Sequence, residues 1–521
     1  MEATEPLWSN VLRKEFYPRH MGQGRHWDVA IIGAGITGIT CAWSLARSGL
    51  SVAIFEAHEV GSGVTGRTSA HLTEALDNRY QHIVRVFGAR AAREIGQATR
   101  DAIDFIERVA LEQQLDCDFV RVPGYLYAQT NEQVEELSAE QEACARAGVP
   151  VRWAHGLPLP FPVKGALEFP RQARFHPRAW LLGLASALPS DNCQIFEDSR
   201  VTHVDEGEPC RLTFAHGSWA TADRVVMATH SPLNTLWFQT RLARYQSYVL
   251  SGPSTVDYPG LYWDMDEPYH YVRNATIDGQ RVVIVGGEDH KTGQEPDTEA
   301  AFDRLAAYAR KLGVTVQHAW SSQVIKPADG LPLIGRNAAS KRVFVATGYE
   351  GNGLTYGTIA GKLLADACMG RRSSLAEHFE ATRFTPVASL KSFISENVDF
   401  PVNLVKDAVA PAEAQSVGQV SRGDGKLVRV NGRRLAVYRD GDGGVHALTS
   451  VCTHMGCHVH FNTAEKTWDC PCHGSRFGIT GDVLEGPAVK GLTPVDLDAK
   501  TEHQMPAPRE SAPPPPPPSI A

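Results

Sequence analysis

The sequence predicts a large α/β domain with an inserted antiparallel sheet, followed by a small all-β domain. Three observations carry that prediction. A strand, a glycine-rich turn, a helix and a second strand succeed one another between Trp27 and Glu56. Strand-like and helix-like runs then alternate to about residue 375, and from residue 416 the chain turns glycine-rich with short alternating strands. At 521 residues there is material for two to four domains at roughly 150 residues each.

The elements follow in order. Residues 1–26 are polar, contain no apolar run of the kind that opens an export signal, and are expected to form an unstructured N-terminal arm. DVAIIG, ending at Gly33, is short and apolar enough for a buried strand. Ile36 to Arg47 has apolar residues at helical spacing, Gly49 is a stop signal, and Ser51 to Glu56 reads as a second buried strand. Ala91 to Leu111 and Glu132 to Ala147 read as amphipathic helices. FVRV, GYLYAQ, RVVMAT, RVVIVGG and RVFVAT read as strands, which places one domain over residues 27–375. Residues 376–415 are expected to be a helical connector, 416–503 the small β domain, and the proline-rich 504–521 a disordered tail.

Charge and hydropathy narrow the function classes. Lys plus Arg number 51 against 59 Asp plus Glu, a net charge of −8 without long single-sign blocks, which argues against nucleic acid as the main partner. No run approaches the ~18 apolar residues of a bilayer span, and the first residues lack the apolar core of an export signal. No transmembrane segment is expected, and the protein is read as soluble and cytoplasmic.

Gly33, Gly35 and Gly38 lie directly between the first strand and the helix. The first permits a tight turn, the second a close approach of backbone to a pyrophosphate, and the third close packing of helix on strand. The helix start at Ile36 and Thr37 offers unpaired amides to phosphate, and Glu56, 18 residues after Gly38, is placed to accept from a ribose. This is a Rossmann-like dinucleotide site in which the acid disfavours NADP. Spacing leaves FAD and NAD both open.

Beyond this point the chain resembles the glycine/D-amino-acid oxidase family of flavoproteins. The resemblance rests on GSGVTGRTSAH (Gly61 to His71), FHPRAWLLGL (Phe175 to Leu184), RVVMATH (Arg224 to His230), DGLPLIG (Asp329 to Gly335) and ATGYEGNGLTYG (Ala346 to Gly357), and spans Trp27 to about Ala367. It implies FAD held by Gly66, Arg67 and Thr68 and by Gly348, Gly351, Gly353, Leu354 and Thr355. A helix starting there would aim its N-terminal amides at the flavin ring. With His71 and Cys41 as the alternative points of covalent attachment, noncovalent binding is the expectation. The resemblance also implies two-electron oxidation of a carbon–nitrogen bond. Tyr248, His270, Tyr271 and Arg273, with Lys326, are the candidates to face a substrate. Members that bind amino acids often carry Arg just before the DGLP segment; this chain has Val324 there and Lys326 two residues on, so α-carboxylate recognition is not implied.

Near the C-terminus, CTHMGC (Cys452 to Cys457) and CPCHGS (Cys470 to Ser475) are separated by one short stretch. Two such boxes supply two thiolates and two imidazoles, the ligation of a Rieske [2Fe–2S] cluster, with structural zinc as the weaker competitor. By resemblance to Rieske proteins the ligands are Cys452, His454, Cys470 and His473, and Cys457 and Cys472 form a disulfide. Ser475 matches a hydroxyl donor to a cluster sulfur. Phe477 replaces a tyrosine donor, which predicts a reduction potential below that of the respiratory proteins.

The combined reading is a flavoprotein that oxidises an amine-like substrate and passes single electrons through its own cluster to an external acceptor. An oxygen-dependent oxidase with a structural cluster is the first alternative. An electron-transfer component is the second; it lacks a second dinucleotide unit and the mononuclear iron ligands of an oxygenase.

Overall fold

The computed structural model describes residues 3–497 apart from 12, 14, 234–235, 339, 384 and 386–411. The first sheet has the order Leu333–Arg336, Val343–Thr347, Trp219–Met227, Gln23–Ile32, Val52–Phe55, Cys193–Phe196. Its central pairings are parallel, Ala30 lying opposite Ala53 on one side and Val225 on the other. Strands buried on both faces lose polar/apolar alternation, which is why AIIG and VAIF read as continuous apolar runs. Helix Ile36–Ala46 covers one face and packs on helix Gly353–Cys368. The contact is close because Gly361 has no side chain: a Cβ there would stand 2.7 Å from Thr40 Cβ.

The second sheet has nine strands. His318–Pro327, Leu242–Gly252, Gln280–Lys291, His270–Ile277 and Leu261–Trp263 are joined antiparallel. Leu261–Trp263 then meets Val120–Ala128 in the sheet's one parallel pairing, before Gly165–Arg174 and His71–Leu72. FVRV and GYLYAQ, separate in the sequence reading, form one strand whose register shifts across Pro123. This is the α/β domain with its antiparallel sheet, as the sequence predicts.

The N-terminal residues depart from expectation. Trp8 is buried and donates its indole N–H to Thr68 O at 2.6 Å, and Arg13 grips both oxygens of Glu197 at 2.6 and 2.7 Å. Single large anchors fix this segment, and single anchors leave no periodicity to read. His20, too, is buried, stacked on Phe214.

The C-terminal domain is all β, with a three-stranded sheet (Asp424–Val430, Arg433–Arg439, Val445–Thr449) and a four-stranded one (His460–Asn462, Thr467–Asp469, Arg476–Phe477, Val483–Glu485). It seats on the nine-stranded sheet and its neighbours. Ala464 N donates to Thr298 Oγ1 at 3.1 Å, Gln294 Nε2 to Pro471 O at 3.1 Å, and Arg200 to Val483 O at 3.1 Å. Most of the expected helical connector, and the whole tail, lie outside the described residues. Among the described residues no helix is long and apolar enough to cross a membrane.

Candidate active site and cluster loops

Gly33 has φ 102°, a conformation L side chains avoid, and a Cβ on it would press on Ala228 O. A Cβ on Gly38 would overlap the Gly33 carbonyl, so the glycine at 38 lets the helix close onto the turn. Glu56 leaves the adjacent strand with one oxygen accepting from Ala34 N at 2.7 Å and the other from His58 N at 3.0 Å. Turn and acid are thus locked together at the mouth of a cavity of about 1120 Å³. That exceeds the ~300–1,000 Å³ of an ordinary small-molecule pocket, as an extended dinucleotide with a substrate beside it requires.

Of the residues expected to hold the cofactor, Gly33, Gly35, Ile36, Thr37, Glu56, Arg67, Thr68, Gly351, Gly353 and Leu354 line this cavity. Gly38, Gly66, Gly348 and Thr355 stand behind it. A Cβ on Gly66 would strike Gly61 O, and Thr355 spends its hydroxyl on Asn352 O at 3.1 Å, so these shape the lining without facing it. Helix Gly353–Cys368 starts at the cavity without a side-chain cap. Its first amides therefore offer a positive dipole end, the complement of a flavin ring that gains negative charge on reduction.

The expected substrate residues divide. Tyr271 and Lys326 line the cavity; Tyr248, His270 and Arg273 do not. Strand parity explains His270, whose neighbours Tyr269 and Tyr271 both face the cavity. His270 turns the other way, binding Asp264 at 3.0 Å and stacking on Tyr308 with centroids 4.1 Å apart. Tyr248 is fully buried, its hydroxyl on His290 at 2.9 Å and its ring against Phe302. Arg273 lies beneath the site, 1% exposed, donating to Ser69 O at 2.7 Å and Phe175 O at 3.3 Å.

The sequence reading missed Trp263, Tyr269, Asp77 and Glu350, all on the cavity lining. Burial alone would push Lys326 down, but the carboxylates of Asp289, Glu350 and Asp77 outweigh it and hold the ammonium above its ordinary value. Burial, then the charge of Asp77, push Glu350 up to about 8. Val324, where an arginine would clamp an α-carboxylate, also lines the cavity. This end is rich in acids and aromatic rings, with one lysine.

In the β domain, Cys457 and Cys472 are disulfide-bonded and tie the two cysteine/histidine loops together. That leaves the buried Cys452 and Cys470 as thiols. Cys452 is pulled down chiefly by its contact with Cys470, against burial, and by the N–H groups of His454 and Met455 and the Ser475 hydroxyl. Donors converging on a thiol are what a cluster sulfur needs. The rings of His454 and His473 stand perpendicular with centroids 5.0 Å apart. Burial lowers His454 to about 4 and His473 to about 3, so both are neutral imidazoles, the form that binds metal. Two thiols, two neutral imidazoles and converging amides fit a [2Fe–2S] cluster.

The two sites are contiguous. Thr467, Arg476, Glu485 and Gly486 of the β domain line the flavin-domain cavity. Gln323, also on that lining, donates to Gly474 O at 2.8 Å, next to His473 in the chain. Arg476 is 3% exposed and anchors this edge through Glu465 at 2.6 Å and Asp469 at 3.1 Å.

Comparison with known proteins agrees with this division. The family described as FAD dependent oxidoreductase matches residues 28–367, and the Rieske [2Fe-2S] domain matches 411–496. A Bacillus subtilis (strain 168) protein named as a Rieske 2Fe-2S iron-sulfur protein, YhfW, is 33% identical over 503 residues, covering 95% of this chain and 98% of that one. The gamma-glutamylputrescine oxidoreductase of Escherichia coli (strain K12) is 25% identical over 68% of this chain and 85% of its own. The fold is similar to that of glycine oxidase from Geobacillus kaustophilus, with TM-score 0.58 at 19% identity, over 69% of this chain and 99% of that one. The chain therefore belongs to the FAD-dependent oxidoreductase family and carries a Rieske domain on the same polypeptide, its cofactors being FAD and a [2Fe–2S] cluster.

Proposed function

We propose that this enzyme oxidises a carbon–nitrogen bond of an amine-like substrate in the cavity and passes the electrons through its own cluster to an external acceptor. When bound, FAD supplies two-electron chemistry and the cluster carries electrons singly. The observation that carries the reading is the Gln323–Gly474 hydrogen bond. One side chain lines the substrate-and-flavin cavity and grips the loop that bears His473. Electron transfer weakens steeply with distance, and a shared lining shortens it.

The proposed roles follow the geometry. Gly33, Gly35, Ile36 and Thr37 hold the pyrophosphate end of FAD, Glu56 orders the turn beside it, and Cys452, His454, Cys470 and His473 ligate the cluster. Trp263, Tyr269 and Tyr271 exclude water from the reacting face. Asp77, joined by Glu350 once pH passes about 8, attracts a cationic amine, with Lys326 limiting how much charge they present. The missing arginine at Val324 favours an amine over an α-amino acid. The likeness to gamma-glutamylputrescine oxidoreductase supports the same chemistry.

Anaerobic rapid mixing tests this with secondary amines, polyamines, amino acids and 2-hydroxy acids, following flavin bleaching by absorbance and cluster reduction by electron paramagnetic resonance. Bleaching by an amine followed by cluster reduction is expected. Bleaching that leaves the cluster oxidised would establish the oxidase alternative. Reduction by NADH and by no amine would sink both.

A further inference from the structure

Arg244 lies on strand Leu242–Gly252 of the flavin domain and is 5% exposed. A guanidinium taken out of water needs an anion or a full set of acceptors. Its Nη2 donates to Ser231 Oγ at 2.8 Å and to Gln239 Oε1 at 2.5 Å, both neutral. Its Nε and Nη1 have no acceptor, and no carboxylate among the described residues pairs with it. Its charge interacts with Cys470 of the second cluster loop.

The side chain is pressed against the second cluster loop. A Cβ on Gly474 would lie 2.8 Å from both Cβ and Cδ of Arg244, and Gly474 N itself closes the loop onto Cys470 O at 2.9 Å. On the other side, Ser231 lines the flavin cavity. Arg244 therefore stands between the cavity and the cluster loop, with part of its fork unused.

We propose that Arg244 is the fixed counter-charge of the reduced cluster, a positioning residue supplied by the flavin domain that raises the reduction potential of the Rieske centre. Two ferric ions, two sulfides, two thiolates and two neutral imidazoles carry no net charge together. Adding one electron leaves the centre anionic, with no bond formed or broken. A buried cation stabilises that state far more than water-screened charge does. It offsets the tyrosine hydroxyl that Phe477 lacks. It also makes the potential depend on docking of the two domains. The inference rests on the cluster alone and stands or falls apart from the identity of the substrate.

The test is a redox titration of the full-length holoprotein, read by the cluster's electron paramagnetic resonance signal. Arg244→Gln is expected to cut the reduction equilibrium constant about tenfold, a fall of about 59 mV for a one-electron couple. Arg244→Lys, which keeps the charge, is expected to restore most of that loss. Gln239→Glu leaves Arg244 in place and neutralises it with an isosteric carboxylate, so it is expected to lower the potential as well. An unchanged potential in both Arg244→Gln and Gln239→Glu overturns the proposal. So does a Lys variant that falls as far as the Gln variant, which would mark a packing role. Where Arg244→Gln yields no cluster signal, Gln239→Glu decides alone, a fall supporting the role and an unchanged potential overturning it.

Discussion

The flavin cavity and the cluster loops hold their cofactors by opposite means. In the cavity the dinucleotide end is shaped by backbone: Gly33 and Gly38 contribute by lacking side chains, and two helix N-termini contribute amides. In the β domain the work is done by four side chains on two loops, bound by the Cys457–Cys472 bridge. Backbone recognition tolerates many sequences provided the turn is kept. Side-chain ligation tolerates almost none. The two regions should therefore fail differently when altered.

The largest effect is expected at Cys470. Cys470→Ser should abolish the cluster's electron paramagnetic resonance signal while flavin absorbance stays near one per chain; simultaneous loss of flavin would show that the domains do not fold independently. Next comes Arg476→Met. It strands the buried carboxylates of Asp469 and Glu465, at a cost of about 3–5 kcal/mol by the precedent of broken buried pairs. Urea unfolding followed by cluster absorbance measures it, and a change under ~1 kcal/mol would mean the network is solvated.

Gly38→Val should weaken FAD binding about a hundredfold, near 2.8 kcal/mol, because its Cβ meets the Gly33 carbonyl and forces helix from turn. Equilibrium dialysis against FAD checks it, with an intact cluster signal as the control that the β domain is folded.

The smallest effect concerns pH. Glu350, raised from 4.5 to about 8, holds its proton more tightly folded than unfolded. Stability is therefore lost as pH rises through that window, and Glu350 itself becomes anionic only above about pH 8. Apparent KM for a cationic amine should drop about threefold from pH 7 to 9, the scale of a partly solvated ion pair, and Glu350→Gln should flatten both trends. A profile unchanged by the substitution would remove Glu350 from substrate binding.

Legibility followed the same divide. The glycine turn, Glu56 and both cysteine/histidine boxes are contiguous or nearly so, and their spacing dictates what they can build. The strand around His270 was legible as a strand, but not which parity faced the cavity. Both faces of that sheet are covered, so apolar alternation carries no direction, and Tyr248 and His270 were given to the wrong side. Arg273 shares parity with Tyr271 yet lies under Ser69 and Trp8, whose positions no local pattern announces. The N-terminal segment was missed because scattered residues, Trp8 and Arg13 among them, hold it by contacts reaching distant partners such as Thr68 and Glu197.

A dinucleotide site and a cluster site were each decided locally, within stretches of about thirty residues, because a glycine turn or a ligand box needs only its own neighbours to be chemically competent, whereas the choice of FAD over NAD needed motifs spread from Gly61 to Gly357. That Gln323 meets Gly474, and that Arg244 presses on the loop bearing His473, was decided by docking one domain on another. Those contacts join residues more than 150 positions apart, and both residues of each pair read in sequence as ordinary strand or loop. Ligation is a property of short range; the route and potential of an electron depend on what packing places beside it.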